Sequence, residues 1–320
     1  MAKIIVTHGL PAEGFDLLSG HEILIPPPLS AFTHAEMLTL ITDADAVVAG
    51  GAMPADLIEA AQNLKIIANY GAGYDKVDVT AAARRGIPVT NIPEAVTDVT
   101  AELAVALMLS VARRVGEMNL RTRREDPSAL FGMGRHMGTT LRGRTLGILG
   151  CGRIGSRVAE VAKSLGMRVI AHNRRGVDPA IATPVDFDTL LAASDVLTLH
   201  CPLTAETRNI IDRAAIARMK PGAILINTAR GAVIDNEALA EAVATGHLSG
   251  AGLDVFPDEP TIPPCLIAQE RIVLTPHVGS NTYEDRCEMA RACSRQILDV
   301  LAGKRPVNIV NGLKNNDISI

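Results

Sequence analysis

Short, β-rich apolar runs alternate with helix-length amphipathic segments from the first residues of the chain. Residues 3–8, 22–25, 46–50, 65–70 and 88–91 read as strands, and residues 53–62 and 77–85 between them carry Ala, Leu and charge at helical spacing. Such alternation calls for βαβ crossovers and a parallel sheet covered by helices on both faces. From residue 99 to about 124, Leu103, Ala106, Leu107, Ser110, Val111 and Arg114 recur at three- and four-residue intervals, which predicts one long helix with an apolar face broad enough for a domain core or a subunit contact. Residues 126–140, with Gly and Met, read as a loop. A second alternation follows, with strands expected at 145–149, 168–172, 196–200, 223–227, 250–255 and 272–275. Residues 282–302 are again helical in pattern and stop at Gly303, after which 306–311 can run extended.

The pattern therefore predicts two α/β domains: residues 1–98 with 286–320, and residues 99–285. The chain would cross between them near 98–102 and 283–288, a hinge for a closing cleft. A length of 320 residues suits two ordinary domains.

Composition narrows the function. With 48% hydrophobic and 21% charged residues the chain is neither disordered nor fibrous, and a formal net charge of -4 offers no basic footprint for nucleic acid. Trp is absent and aromatics make up 2%, too few to build a base-stacking platform. The natural partner is a small molecule. Five cysteines, Cys151, Cys201, Cys265, Cys287 and Cys293, show no metal-ligand spacing and read as free thiols in a reducing compartment. Residues 1–10 lack the pattern of a signal peptide, and no stretch reaches the ~18 uninterrupted apolar residues of a membrane span. The expected location is the cytoplasm, with no membrane association.

The segment Gly150-Cys151-Gly152-Arg153-Ile154-Gly155 carries GxGxxG between a predicted strand and a predicted helix. In that setting the first Gly makes the turn, the second admits a pyrophosphate, and the third lets the helix pack on the strand. A mere turn is the bland alternative. In the NAD-type motif an acidic residue about 20 positions further on holds the ribose 2′-hydroxyl. Here the strand at 168–172 ends in Asn173-Arg174-Arg175, a neutral amide and two guanidinium groups suited to a 2′-phosphate. NADP(H) is favoured and NAD(H) stays open; a solvated arginine pair is the competing reading.

Three polar segments stand at predicted strand ends, where open α/β sheets bind ligands: Asn227-Thr228-Ala229-Arg230-Gly231, then Asp254 to Pro260 (DVFPDEP), then Thr275-Pro276-His277-Val278-Gly279-Ser280. In this order and spacing, GxGxxG, NTARG, DVFPDEP and TPHVGS resemble the D-isomer-specific 2-hydroxyacid dehydrogenase family along essentially the whole chain. The resemblance takes in the loop Asn69-Tyr70-Gly71-Ala72-Gly73-Tyr74-Asp75. It implies a Rossmann cofactor domain, a flavodoxin-like substrate domain, and reduction of a small 2-keto acid, glyoxylate or hydroxypyruvate among them, by hydride transfer.

Such a reduction needs a cation for the carboxylate and the polarised ketone, and a proton donor for the developing alkoxide. Arg230 offers a planar fork for the first, with an ion pair to Asp254 or Glu259 as its structural alternative. His277 is a donor whose tautomer Glu259 can fix, although Glu259 could equally be a turn residue before Pro260. The resemblance assigns His277 and Glu259 as the acid/base pair, Arg230 to the substrate carboxylate and carbonyl, and the N–H groups of Ala72 and Gly73 to the carboxylate. It also implies cofactor contacts from Thr100, Cys201, Pro202, Thr207, Thr228, Ala229, Asp254 and Gly279. Asp254 and Thr228 would orient the nicotinamide amide. Thr100 can equally be a helix N-cap.

Adjacent strand residues face opposite ways, so His200 and Cys201 are not a nucleophilic pair. The loop around Phe131-Gly132-Met133-Gly134-Arg135 lacks the Trp many family members place there, which leaves substrate preference open. A dinucleotide-regulated corepressor-like binding module and a 3-phosphoglycerate dehydrogenase are the alternatives to the reductase. The apolar face of the helix at 99–124 predicts a homodimer.

Overall fold

In the computed structural model, which describes residues 1–314, the two alternating regions become two parallel sheets. The chain divides into two compact units, Met1–Val96 with the segment from Ser280 onward, and Thr97–Gly279. The sequence placed these changeovers slightly later, after 98 and after 285.

In the first unit β1 (Lys3–Val6), β2 (Glu22–Leu24), β3 (Ala46–Ala49), β4 (Ile66–Asn69) and β5 (Val89–Thr90) lie in the order β2-β1-β3-β4-β5. β3 and β4 are buried along their whole length, as expected of Val-, Ile- and Ala-rich strands covered on both faces. The period of two sorts their side chains. Ile5, Val47, Ile67 and Val89 enter one core with Met37, Ile41 and Ile58, while Ile4, Val6, Val48, Ile66 and Ala68 enter the other with Phe15, Met289 and Ile297. Helix Tyr283–Leu301 covers the second face, capped by the Thr282 side chain. Beyond it the tail lies antiparallel beside β5: Val310 N donates to Val89 O at 2.8 Å, and Thr90 bridges Ile309.

The second unit holds β6 (Thr145–Leu149), β7 (Arg168–His172), β8 (Thr183–Pro184), β9 (Val196–Leu199), β10 (Ala223–Asn227), β11 (Leu248–Leu253) and β12 (Ile272–Leu274), ordered β12-β11-β10-β9-β6-β7-β8. Both sheets are doubly wound, as the sequence predicts. The edge strand β8 escapes a sequence reading because it is two residues long and ends in Pro. β11 starts and stops two residues earlier than predicted. Its Gly250 and Gly252 lie under helix Thr97–Ala112: a Cβ on Gly252 would stand 2.9 Å from Leu107 Cβ, so the glycines let the helix close on the sheet.

The long helix predicted at 99–124 is two helices, Thr97–Ala112 and Val115–Arg124. They are broken at Arg114, which takes a left-handed φ of 56°. The apolar spacing runs on across the break, which is why it is invisible to periodicity. Arg114 folds back onto Glu117, a buried carboxylate held below its usual range by that guanidinium, and Gly116 lets the second helix meet Val273. The stretch 126–140, read as plain loop, contains a one-turn helix, Pro127–Leu130, whose Asp126 cap accepts from Ser128 N at 2.9 Å. Residues Glu94–Ala112 have the length and mean hydropathy, 1.7, of a membrane span. Half of that window is buried, with Ala104, Leu107, Met108 and Val111 in the second unit's core.

Candidate active site

β10, β11 and β12 are neighbours in register, with Asn227 beside Leu253 and Leu253 beside Leu274. The three polar segments therefore leave one edge of the sheet from strands about 5 Å apart. Asp254, one residue beyond β11, is 1% exposed. Its Oδ1 accepts from Thr275 Oγ1 at 2.6 Å and Val278 N at 2.8 Å, its Oδ2 from Gly279 N at 2.8 Å, and its carbonyl from His277 N at 2.8 Å. The structure adds a role to the expected one. Asp254 spends both oxygens clamping the loop that carries His277, and burial raises its pKa against the pull of those donors. Gly279 belongs to the same clamp, since a Cβ there would stand 3.0 Å from Asp254 Oδ2.

The clamped loop holds His277 at φ 53°, a left-handed backbone that few non-glycine residues adopt. Its side chain is 48% exposed, and Nδ1 lies 2.9 Å from Glu259 Oε2. Glu259 is itself oriented, Oε1 accepting from Phe256 N at 3.2 Å. With Nδ1–H given to Glu259, Nε2 is the atom left to take and return a second proton, and the carboxylate offsets the resulting charge.

Arg230 follows β10 on a segment tied by Asn227, whose Nδ2 donates to Arg230 O at 2.9 Å and whose Oδ1 accepts from Ala229 N at 2.9 Å. Gly231 brings this segment against the one bearing Glu259, because a Cβ there would fall 2.1 Å from the Phe256 carbonyl carbon. Arg230 is half-buried, and its Nη1 donates to Ala229 O at 2.7 Å. Next to it, Thr228 Oγ1 lies 3.5 Å from His200 Nδ1, and His200 Nε2 lies 2.9 Å from Thr198 Oγ1. Burial pushes the His200 imidazole down to about 4, so the ring is neutral at pH 7.

Strand order reverses between β6 and β9, the switch point where open sheets take ligands. There Gly150 turns with φ 94°, and a Cβ on it would stand 2.5 Å from Cys201 N; one on Gly155 would stand 2.6 Å from Gly150 O. Gly152 differs, with nothing within 4 Å of its missing Cβ, and it begins helix Arg153–Ser164 without any side-chain cap. The clear space over Gly152, where the helix that carries Arg153 and Ile154 begins, fits a pyrophosphate on the helix N-terminus.

Across the switch point Cys201 is buried, its thiol pushed up to about 11. Thr207 Oγ1 donates to Pro202 O at 2.6 Å and accepts from Thr204 N at 2.7 Å, bracing that loop. Thr100 lies in the first turn of its helix, buried; the helix begins at Thr97, so Thr100 is not its N-cap. Beyond β7, Asn173 Nδ2 donates to Gly176 O at 3.1 Å, closing a turn that presents Arg174 and Arg175. Both are exposed and make no hydrogen bond or ion pair among the described residues.

In the first unit the loop after β4 is pulled inward by its carbonyls: Asn69 Nδ2 donates to Gly71 O and Gly73 O at 3.0 Å, and Asn91 Nδ2 to Ala72 O at 2.8 Å. The Ala72 and Gly73 amides make no hydrogen bond among the described residues, an arrangement suited to a small anion. Sequence reasoning missed Asn69 and Asn227 as the residues that shape both loops. The available signal was an asparagine at a strand end followed within a few residues by glycine.

Residues 105–279 match the family model described as the D-isomer specific 2-hydroxyacid dehydrogenase, NAD binding domain. The chain is 41% identical over 320 residues to a glyoxylate reductase of Thermococcus litoralis, covering 97% of this chain and 96% of that one. Among solved structures it resembles a glyoxylate reductase from Paecilomyes thermophila, with a TM-score of 0.86, 33% identity, and coverage of 97% and 98% of the two chains. It also resembles an NADPH-dependent glyoxylate/hydroxypyruvate reductase of Sinorhizobium meliloti in complex with NADP and malonate, with a TM-score of 0.84, 30% identity, and coverage of 97% and 96%.

Proposed function

Because the chain belongs to the D-isomer specific 2-hydroxyacid dehydrogenase family, an NAD(P)-dependent oxidoreductase family, we propose that it reduces glyoxylate, hydroxypyruvate or a similar small 2-keto acid to the D-2-hydroxy acid. The observation that carries this reading is the His277–Glu259 pair at 2.9 Å on a loop clamped by Asp254. A bound nicotinamide dinucleotide supplies the hydride. The protein's own side chains handle charge and protons. Arg230 holds the keto acid and polarises its carbonyl, and the Ala72 and Gly73 amides of the first unit are suited to a carboxylate. His277 delivers the Nε2 proton to the carbonyl oxygen, while Glu259 stabilises the charged ring that precedes delivery.

NADPH is the preferred reductant in this reading. Arg174 and Arg175 have unspent guanidinium groups beside the neutral Asn173, and the Sinorhizobium meliloti relative holds NADP. The acting form is a homodimer. Leu109, Val115, Leu120, Phe131, Met133 and Met137 all expose apolar side chains within one stretch of the second unit, which a second copy would cover. The five free cysteines support a cytoplasmic setting.

The test is loss of NADPH absorbance with glyoxylate, hydroxypyruvate, pyruvate, phenylpyruvate and 2-ketogluconate, repeated with NADH. Turnover of glyoxylate or hydroxypyruvate is expected. Silence with every acid and both cofactors would overturn the proposal.

A further inference from the structure

We infer that the preferred 2-keto acid carries a second anionic group at its far end, a terminal carboxylate or phosphate, and that His8 and Arg286 bind it; this rests on the keto-acid reading above. In the five-stranded sheet the order reverses between β1 and β3, so the ligand crevice of the first unit lies outside the carboxyl ends of these strands. His8 follows β1 at that point. Its ring lies against Gly50 and Gly51 beyond β3, with Cε1 only 2.8 Å from where a Gly51 Cβ would stand, so two glycines leave room for the imidazole.

The hydrogen bonds around His8 fix which nitrogen points outward. Thr7 Oγ1 accepts from Gly50 N at 2.9 Å, which leaves its own hydrogen for His8 Nδ1 at 2.8 Å. In the neutral ring Nδ1 is then the acceptor and Nε2 carries the proton. Burial, Arg286 and Lys76, in that order, hold the pKa of His8 down and favour this form. Nε2 has no partner among the described residues.

Arg286 is presented in the same way. Its guanidinium lies over the Tyr70 ring at 5.6 Å, its Nε donates to Asn281 Oδ1 at 3.3 Å, and the Tyr70 hydroxyl donates to its carbonyl. Its Nη1 and Nη2 make no hydrogen bond or ion pair among the described residues. Tyr70 in turn precedes the loop with the unpaired Ala72 and Gly73 amides, and its own amide bonds Ala49 O beside Gly50.

One sheet edge therefore gathers the His8 Nε2–H, the Arg286 Nη1 and Nη2 groups and two backbone amides, all without acceptors among the described residues. A monocarboxylate such as glyoxylate has one acidic group, which the amides satisfy. A dianionic keto acid supplies acceptors for the side-chain donors as well, and charge-assisted bonds of this kind are the stronger ones.

The experiment compares kcat/KM for oxaloacetate and 3-phosphohydroxypyruvate with that for glyoxylate and pyruvate, in the full chain and in His8→Ala and Arg286→Met. At least one dianionic acid should exceed pyruvate by about tenfold, and each substitution should lower that ratio by about tenfold, mainly through KM. Which dianion leads distinguishes carboxylate from phosphate. Without cofactor, succinate should raise the thermal midpoint more than acetate at equal concentration, and Arg286→Met should erase the difference. Glyoxylate turnover with no dianion preference, or a ratio unmoved in both folded variants, overturns this inference alone. No turnover of any keto acid overturns it together with the proposed function.

Discussion

Nδ1 of His277 lies 2.9 Å from Oε2 of Glu259, across 18 residues of sequence and between two loops that leave adjacent strands. The pair is set by backbone rather than by chance of side-chain reach, since Asp254 fixes the loop under one partner and Phe256 N holds the other. His277→Asn is the cleanest removal, because Asn tolerates the left-handed φ that Ala resists. It should cut kcat by about 10²–10⁴-fold. NADPH affinity, followed by fluorescence titration, should stay close to that of the parent. Full turnover in this variant would remove His277 from the proton-donor role.

The three glycines of the nucleotide loop should separate by substitution. Gly155→Ala forces a methyl within 2.6 Å of Gly150 O and should cost about 1–3 kcal/mol of stability by overpacking. Gly152→Ala meets open space and should change stability by less than ~0.5 kcal/mol while sharply weakening NADPH binding. Thermal unfolding and dinucleotide titration check both. Normal NADPH binding by Gly152→Ala would place the pyrophosphate elsewhere.

Arg174 and Arg175 make no hydrogen bond or ion pair among the described residues, so replacing them should leave the fold intact and act on the cofactor. Arg174→Ala with Arg175→Ala should raise KM for NADPH by about tenfold or more, the loss expected of charge-assisted contacts to a phosphate, and barely move KM for NADH. Equal effects on the two cofactors would argue against 2′-phosphate recognition.

His200 makes stability depend on pH in a known direction. In the folded protein it protonates only near pH 4, whereas in the unfolded chain an ordinary imidazole does so near 6.5. Between those values the unfolded chain takes up a proton that the folded one refuses, so stability falls as pH falls, by at most about 1.4 kcal/mol per pH unit from this group. His200→Gln removes that contribution. Urea unfolding at pH 7, 6 and 5 should show a shallower decline for the variant, and identical declines would contradict the assignment.

What the sequence disclosed was local. Asn227 to Gly231, Asp254 to Pro260 and Thr275 to Ser280 could be placed at strand ends because a β-run followed by Gly, Pro and polar residues is a short-range signal. Where the outcome depended on which donors meet which acceptor, the signal failed. The clamp role of Asp254 needs Thr275, Val278 and Gly279 from the next loop, more than twenty residues on, and composition around Asp254 alone does not show it. The break at Arg114 is hidden because apolar spacing continues on both sides of it, and only the turn toward buried Glu117 shows it. His8 and Arg286 carried no motif at all. Strand order and glycine clearance bring out the first, and stacking on Tyr70 the second.

The five-stranded sheet is assembled from both ends of the chain, and that dictates an order of events at the ribosome. Phe15, Ile66 and Ala68 share a core with Met289, Cys293 and Ile297, so the strands made first keep a greasy side uncovered until synthesis has passed residue 301. Thr97–Gly279 is one uninterrupted stretch and can mature while the earlier strands wait.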